Sequence, residues 1–176
     1  MTSTTEAAPA SSAPTTMAPV TKTGTGDDVV DLPVTSSAVV DIACAGCSGN
    51  FVVKTDGDDS LLVNTIGAYQ GRHVTTGSLK TWTVTADSAW TITVSDLSTL
   101  KTTSDTFSST GDDAFILTGS PSRAAFTNDG EGNFVVKNLL TGDLVVNEIG
   151  HYSGTDPMSA GVVQVLSDGK WTFAAK

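Results

Sequence analysis

The chain has 176 residues, with 19 acidic side chains against nine Lys and Arg and a formal charge of −10. Its basic residues are scattered without a run, which argues against a nucleic-acid backbone or an anionic membrane surface as partner; the acidic balance reads as solubility. No stretch is long and apolar enough to span a bilayer, and the length suits two small domains.

Residues 1–24 open with MTSTTEAAPASSAPTT and have neither a basic n-region nor an apolar h-region, so they do not read as a signal peptide. Rich in Ser, Thr, Ala and Pro and nearly uncharged, they are expected to form a disordered tail that buries too little apolar surface to order itself. Such a tail is expected to be a stalk, which implies a leader or anchor before it and Met1 supplied in its place. Otherwise it is a disordered N-terminus on a protein without an export signal.

The dominant feature beyond the tail is a repeat. Residues 49–71 read GNFVVKTDGDDSLLVNTIGAYQG and residues 132–154 read GNFVVKNLLTGDLVVNEIGHYSG, so that Phe51 answers Phe134, Asn64 answers Asn147 and Tyr69 answers Tyr152 without a gap. Thr25-Gly26-Asp27-Asp28 answers Thr110-Gly111-Asp112-Asp113, and Trp90-Thr91 answers Trp171-Thr172. The chain therefore holds two copies of one folding unit: residues 25–95 and 110–176, joined by a linker at 96–109. Each copy has roughly 65–80 residues, near the lower limit for folding alone. The sequence leaves open whether the copies dock. Leu97, Leu100 and Phe107 predict that the linker packs partly against a domain.

In chain order the first unit reads as strands at 29–34, 38–43, 50–55, 61–66 and 72–76, followed by two clear alternating segments. Trp82, Val84 and Ala86 alternate with Thr81, Thr83 and Thr85; Trp90, Ile92 and Val94 alternate with Thr91, Thr93 and Ser95. A period of two marks half-buried antiparallel strands. The Asp87-Ser88 break between them predicts a hairpin, and its counterpart Asp168-Gly169 suits a type I′ turn. No helical stripe is present. The expected fold is all-β: two tandem antiparallel β-sandwiches, immunoglobulin-like or jelly-roll-like, with a small closed barrel as the alternative.

The combination of Gly-Asp-Asp-Val-Val, Asn-Phe-Val-Val, Leu-Leu-Val-Asn-Thr-Ile-Gly-Ala-Tyr-x-Gly and Thr-Ala-Asp-x-x-Trp-Thr-Ile-Thr-Val resembles repeats of actinobacterial secreted or surface proteins, which often follow a lipoprotein leader and a Ser/Thr/Pro-rich spacer. The resemblance covers nearly all of residues 25–176. It implies a β-rich extracytoplasmic module of unknown function and supplies no catalytic residues or ligand. The departure from that pattern is that residues 1–24 include no such leader or lipid-bearing cysteine.

Cys44 and Cys47, the only cysteines, form a C-x-x-C. A four-thiolate zinc site needs a second pair, and a redox pair sits at a helix N-terminus, whereas this motif lies between predicted strands. What remains is a short-loop disulfide, permitted outside the cytoplasm, or two free thiols. The aligned Thr127 and Gly130 of the second copy lack the pair, so it reads as a local staple. Carboxylates cluster at Asp56, Asp58 and Asp59 and at Asn128, Asp129 and Glu131, but match no EF-hand spacing. The paired Asp27-Asp28 and Asp112-Asp113 are the calcium candidates common to both copies; the same pairs serve equally well to turn the chain. No cofactor is implied.

His73 and His151 occupy non-equivalent positions and are expected at the surface; no nucleophile elbow, metalloprotease motif or phosphate loop is present. The chain is therefore read as non-catalytic. The recognition candidate is Gly-x-Tyr-x-Gly, with Gly67, Tyr69 and Gly71 in one copy and Gly150, Tyr152 and Gly154 in the other. The tyrosine presents its ring to a sugar or peptide, or it tucks against the sandwich edge at a β-bulge as a tyrosine corner does. Trp90 and Trp171 are expected in the core. The function expected is an extracellular or cell-surface module binding a glycan, cell-wall polymer or protein, two copies giving avidity. The alternatives are a structural spacer or virion coat or decoration protein, and an enzyme.

Overall fold

The computed structural model of the chain describes residues 17–57 and 60–176. The first repeat contains β1 (Val20–Thr25), β2 (Asp28–Val34), β3 (Ala38–Cys44), β4 (Asn50–Thr55), β5 (Leu61–Ile66), β6 (Tyr69–Thr75), β7 (Leu79–Thr85) and β8 (Ala89–Ser95). After a 3-10 turn at Leu97–Thr99 comes β9 (Lys101–Thr103). The second repeat contains β10 (Thr106–Thr110), β11 (Asp113–Leu117), β12 (Arg123–Asn128), β13 (Asn133–Asn138), β14 (Asp143–Ile149), β15 (Tyr152–Pro157), β16 (Gly161–Leu166) and β17 (Lys170–Ala175).

Each repeat is a sandwich of two open sheets, and no barrel closes. In repeat 1 the first sheet runs β1-β8-β3-β6 and the second β2-β7-β4-β5; in repeat 2 the equivalents run β10-β17-β12-β15 and β14-β13-β16-β11, with β9 added in parallel to β11. This is the strand order of a jelly roll. In each repeat every connection passes from one sheet to the other except the single hairpin, β4–β5 or β13–β14.

Three expectations are corrected. Asp87-Ser88 and Asp168-Gly169 are not hairpin turns, because β7 and β8 lie in different sheets, as do β16 and β17. Two strands that face each other across a core show the same alternation as two that pair side by side. Gly169 also lacks the positive φ that a type I′ turn needs. The tail was expected to be disordered through residue 24, yet Val20–Thr25 pairs along β8 from Val20↔Val94 to Thr25↔Ala89; its Thr-rich alternation supplies an edge strand. Residues 1–16 lie outside the described residues. The linker at 96–109 is likewise largely structured: it carries β9 and most of β10, the counterpart of β1.

The cores follow the repeat. Trp82 and Trp90 are buried in the first with Phe51, Ile42 and Val84; Trp171 is buried in the second with Phe115, Phe126, Phe134 and Phe173. Each indole N–H has a backbone acceptor. Trp90 Nε1 donates to Gly26 O at 3.0 Å and Trp171 Nε1 to the equivalent Gly111 O at 2.8 Å, while Trp82 Nε1 donates to Leu32 O at 2.8 Å. Phe107 stacks on Phe115 at 4.6 Å, so the linker does pack on repeat 2.

The two sandwiches dock. Val39 and Val74, on the outer face of repeat 1's first sheet, meet Ala114, Ile116 and Val162 on the outer face of repeat 2's second sheet, with Leu97 and Leu100 of the linker closing the cluster. The first sandwich thus meets the face of the second along its β6 edge, with β5 flanking the same wall. The docking faces are not equivalent in the repeat: strand pairing places Asp31 and Thr81 in repeat 1 where repeat 2 has Ile116 and Val162. Ile116 and Val162 thus make this face more apolar in repeat 2 than in repeat 1.

Candidate functional site

The motif strand β6 sets the geometry of the junction. Tyr69, Gly71 and His73 alternate on its inward face, and Gln70, Arg72 and Val74 point outward. The Tyr69 ring lies along its own strand over Gly71: a β-carbon there would sit 2.2 Å from the phenolic oxygen. Gly154 stands in the same relation to Tyr152, again at 2.2 Å. The second glycine of each motif is thus room for the ring. The first, Gly67 (φ 91°) and Gly150 (φ 84°), takes a left-handed turn that L side chains resist.

Both rings turn inward, packing on Phe51 and Phe134 at 5.8 and 5.6 Å. Of the two readings of the motif, the inward tuck is the one the fold adopts, and the ring is not presented to a ligand. Two details of that reading are corrected: β3–β6 and β12–β15 pair without a bulge, and the hydroxyl partners are side chains instead of backbone. Tyr152 donates to Asp156 Oδ2 at 2.6 Å, and burial first, then that carboxylate, pushes its pKa up to about 12. Tyr69 donates at 2.6 Å to Asp112 Oδ2, across the junction, while His73 Nε2 lies 2.7 Å from its phenolic oxygen. With the phenol donating to Asp112, His73 donates to the phenol as the Nε2–H tautomer. Burial holds the imidazole below its ordinary pKa, against the pull of Asp112, and raises the Tyr69 phenol together with that carboxylate. His73 is thus a buried junction residue and not the surface histidine expected; His151 is exposed.

The aspartate pairs turn the chain. Asp27 Oδ1 accepts from Ala86 N at 3.0 Å, and Asp112 Oδ1 from the equivalent Ser167 N at 2.9 Å. Asp28 and Asp113 each cap the next backbone N–H, of Val29 and Ala114, at 2.8 Å. Among the described residues no three His, Cys, Asp or Glu side chains are grouped as a metal site requires; Asp58 and Asp59 lie outside those residues. Cys44 and Cys47 form a disulfide with Cα atoms 5.5 Å apart, buried in the first core.

Residues outside the repeated motifs matter most at the junction. Gln164 Oε1 accepts from Val74 N at 2.8 Å, and its Nε2 donates to Arg72 O at 3.0 Å and Asp113 O at 3.1 Å. Arg72 N donates to Asp112 O at 2.9 Å. The free edge of β6 is thereby covered by repeat 2, as an exposed sheet edge requires. The Arg72 side chain donates from Nε to Asp41 at 2.8 Å, which raises its pKa further, and lies 4.0 Å from Asp113. Comparing outward residues between the copies would have marked Gln164, which stands where repeat 1 has Thr83.

Docking leaves a cleft of about 660 Å³ over the outer face of repeat 1's first sheet. Its floor is Asp41, Arg72, Thr91 and Thr93, and its wall is Ser109 and Thr110 of repeat 2. Hydroxyls, carboxylates and one guanidinium line it, a donor and acceptor set suited to polyhydroxylated ligands.

No family model matches the chain, and no curated protein does. Among solved structures, it is similar to a conserved protein of unknown function from Pseudomonas aeruginosa PAO1, at 12% identity over 86% of this chain and 80% of that one, with a TM-score of 0.27. HutD from Pseudomonas fluorescens SBW25 is similar at 9% identity over 89% and 79%, with a TM-score of 0.25. At these scores neither likeness bears on what this chain does.

Proposed function

We propose that the chain is a non-catalytic extracellular or cell-surface module that binds a glycan or cell-wall polymer, as repeats of actinobacterial surface proteins would, and that recognition takes place in the cleft between its two sandwiches. The observation that carries this is the cleft itself: it exists only because the repeats dock, and both contribute hydroxyls to it. The disulfide is compatible with an oxidising compartment. On this reading Tyr69 serves by fixing the junction and Tyr152 by packing its own sandwich, and neither touches ligand. Glycan arrays and cell-wall pull-downs should retain the wild-type chain and lose the Thr91→Leu/Thr93→Leu variant, whose outward positions leave both cores intact. If the wild type binds in neither format, recognition is discarded and a structural spacer or virion coat protein becomes the better description. Equal binding by the variant would move the site elsewhere.

A further inference from the structure

A second groove, of about 570 Å³, flanks the junction; it shares Gln70 and Asp112 with the first cleft and is otherwise lined by different residues. Five successive residues of β5, Leu61 to Thr65, form one wall. Side chains alternate across a strand, so an unbroken run marks contact along the strand's edge and not its face. β5 pairs only with β4, which leaves that edge unpaired among the described strands. The opposite wall is the outer face of repeat 2's second sheet, with Val135, Leu166 and Asn133. Asp112 and Asp168 line the groove with no Lys or Arg among its residues, and Leu61 and Ile66 at the ends of β5 are 51% and 77% exposed.

From this placement we infer that the groove takes an extended peptide segment of another protein, which adds as a strand to the β5 edge and carries a Lys or Arg toward Asp112 and Asp168. Main-chain pairing to β5 supplies affinity, and alternate side chains against Val135 and Leu166 supply selectivity. A segment matching five residues is about 17 Å long. The acidic lining and the chain's charge of −10 favour a basic partner. A folded second copy is the poorer occupant, because its own β5 edge lies against its own repeat 2 wall. This site goes beyond the glycan cleft and does not rest on it.

The test uses the full chain and an array of immobilised seven-residue peptides that alternate Val or Leu with Thr and carry zero, one or two lysines at either end. Lysine-bearing members should bind, and the best of them in solution should slow hydrogen exchange of β5 amides. Leu166→Arg, which places a bulky cation in the groove, should weaken binding at least tenfold, whereas Thr83→Arg on the free outer face of repeat 1 should not. An array with no binder, binding without protection of β5, or equal binding by Leu166→Arg would overturn the proposal. So would β5 protection that grows with protein concentration alone, which would put a second copy there. The glycan assay reads the other cleft, so either site can fail without the other.

Discussion

The side-chain amide of Gln164 stands in for a missing strand beside Val74. Its oxygen takes the Val74 N–H at 2.8 Å while its nitrogen serves the Arg72 carbonyl at 3.0 Å. These are the donor and acceptor that a fifth strand of the β1-β8-β3-β6 sheet would have paired. One residue thus ties the edge of the first sandwich to the face of the second, amid the apolar contacts of Val39, Val74, Ala114 and Val162.

Gln164→Ala removes both bonds and leaves the buried Val74 N–H without its acceptor. A loss of about 1–3 kcal/mol is expected, read as a lower urea midpoint. Gln164→Glu should behave as badly, because a buried carboxylate cannot donate to the Arg72 carbonyl. Unchanged midpoints for both would show that the junction contributes nothing to stability.

Gly71→Ala forces the Tyr69 ring off its strand and breaks the phenol's contact with Asp112. The overpacking is expected to cost about 1–3 kcal/mol. Gly154→Ala should cost a similar amount but leave the junction intact, since Tyr152 bonds within its own repeat. Limited proteolysis between the repeats separates the two cases: only Gly71→Ala should expose the segment at 96–105.

Stability should fall as the medium is acidified from neutrality. The imidazole of His73 has a lowered pKa in the folded chain, so between that value and the ordinary 6.5 or so of an unfolded histidine the unfolded state binds more protons. Its contribution is complete above about pH 6.5 and is lost as the pH falls toward the folded value. Asp112, 3.5 Å from Nε2, softens but does not reverse the sign. His73→Gln should flatten the slope of unfolding free energy between pH 7 and 5. A separate loss below the ordinary carboxylate range of about 4 is expected from Asp56, Asp87 and Asp96, each held low by hydrogen bonds, and should remain. A slope unchanged in His73→Gln would assign the effect to other groups.

Removing the disulfide as Cys44→Ala/Cys47→Ala should destabilise by about 2 kcal/mol, the modest effect of a very short loop. The loss should reappear in wild-type protein under strong reductant. Repeat 2 folds the same strands with Thr127 and Gly130 in place of the pair, so the variant should keep its β-sheet circular dichroism. Loss of that signal at 25 °C would make the bond a requirement of the fold.

Much of this molecule was legible in the sequence. Period-two alternation of Trp82, Val84, Trp90 and Ile92 with threonines gave the strands and their buried faces, because a pleated strand sends neighbouring side chains to opposite sides. The constant spacing of Phe51 and Phe134, or Tyr69 and Tyr152, gave the duplication. The cysteine pair was assigned by the chemistry it could not support. Which strands share a sheet was beyond that reach: alternation reports which way a side chain points and is silent on which neighbour its backbone meets, so β7 and β8 passed for a hairpin. The docking of the repeats was decided only by tertiary structure. It depends on pairs such as Asp31 against Ile116 and Thr81 against Val162, outward positions whose polarity has meaning only once another sheet lies over them. The partner of the Tyr69 hydroxyl has the same origin: both rings turn inward, but the carboxylate that receives Tyr69 comes from the other repeat, whereas Tyr152 finds Asp156 in its own.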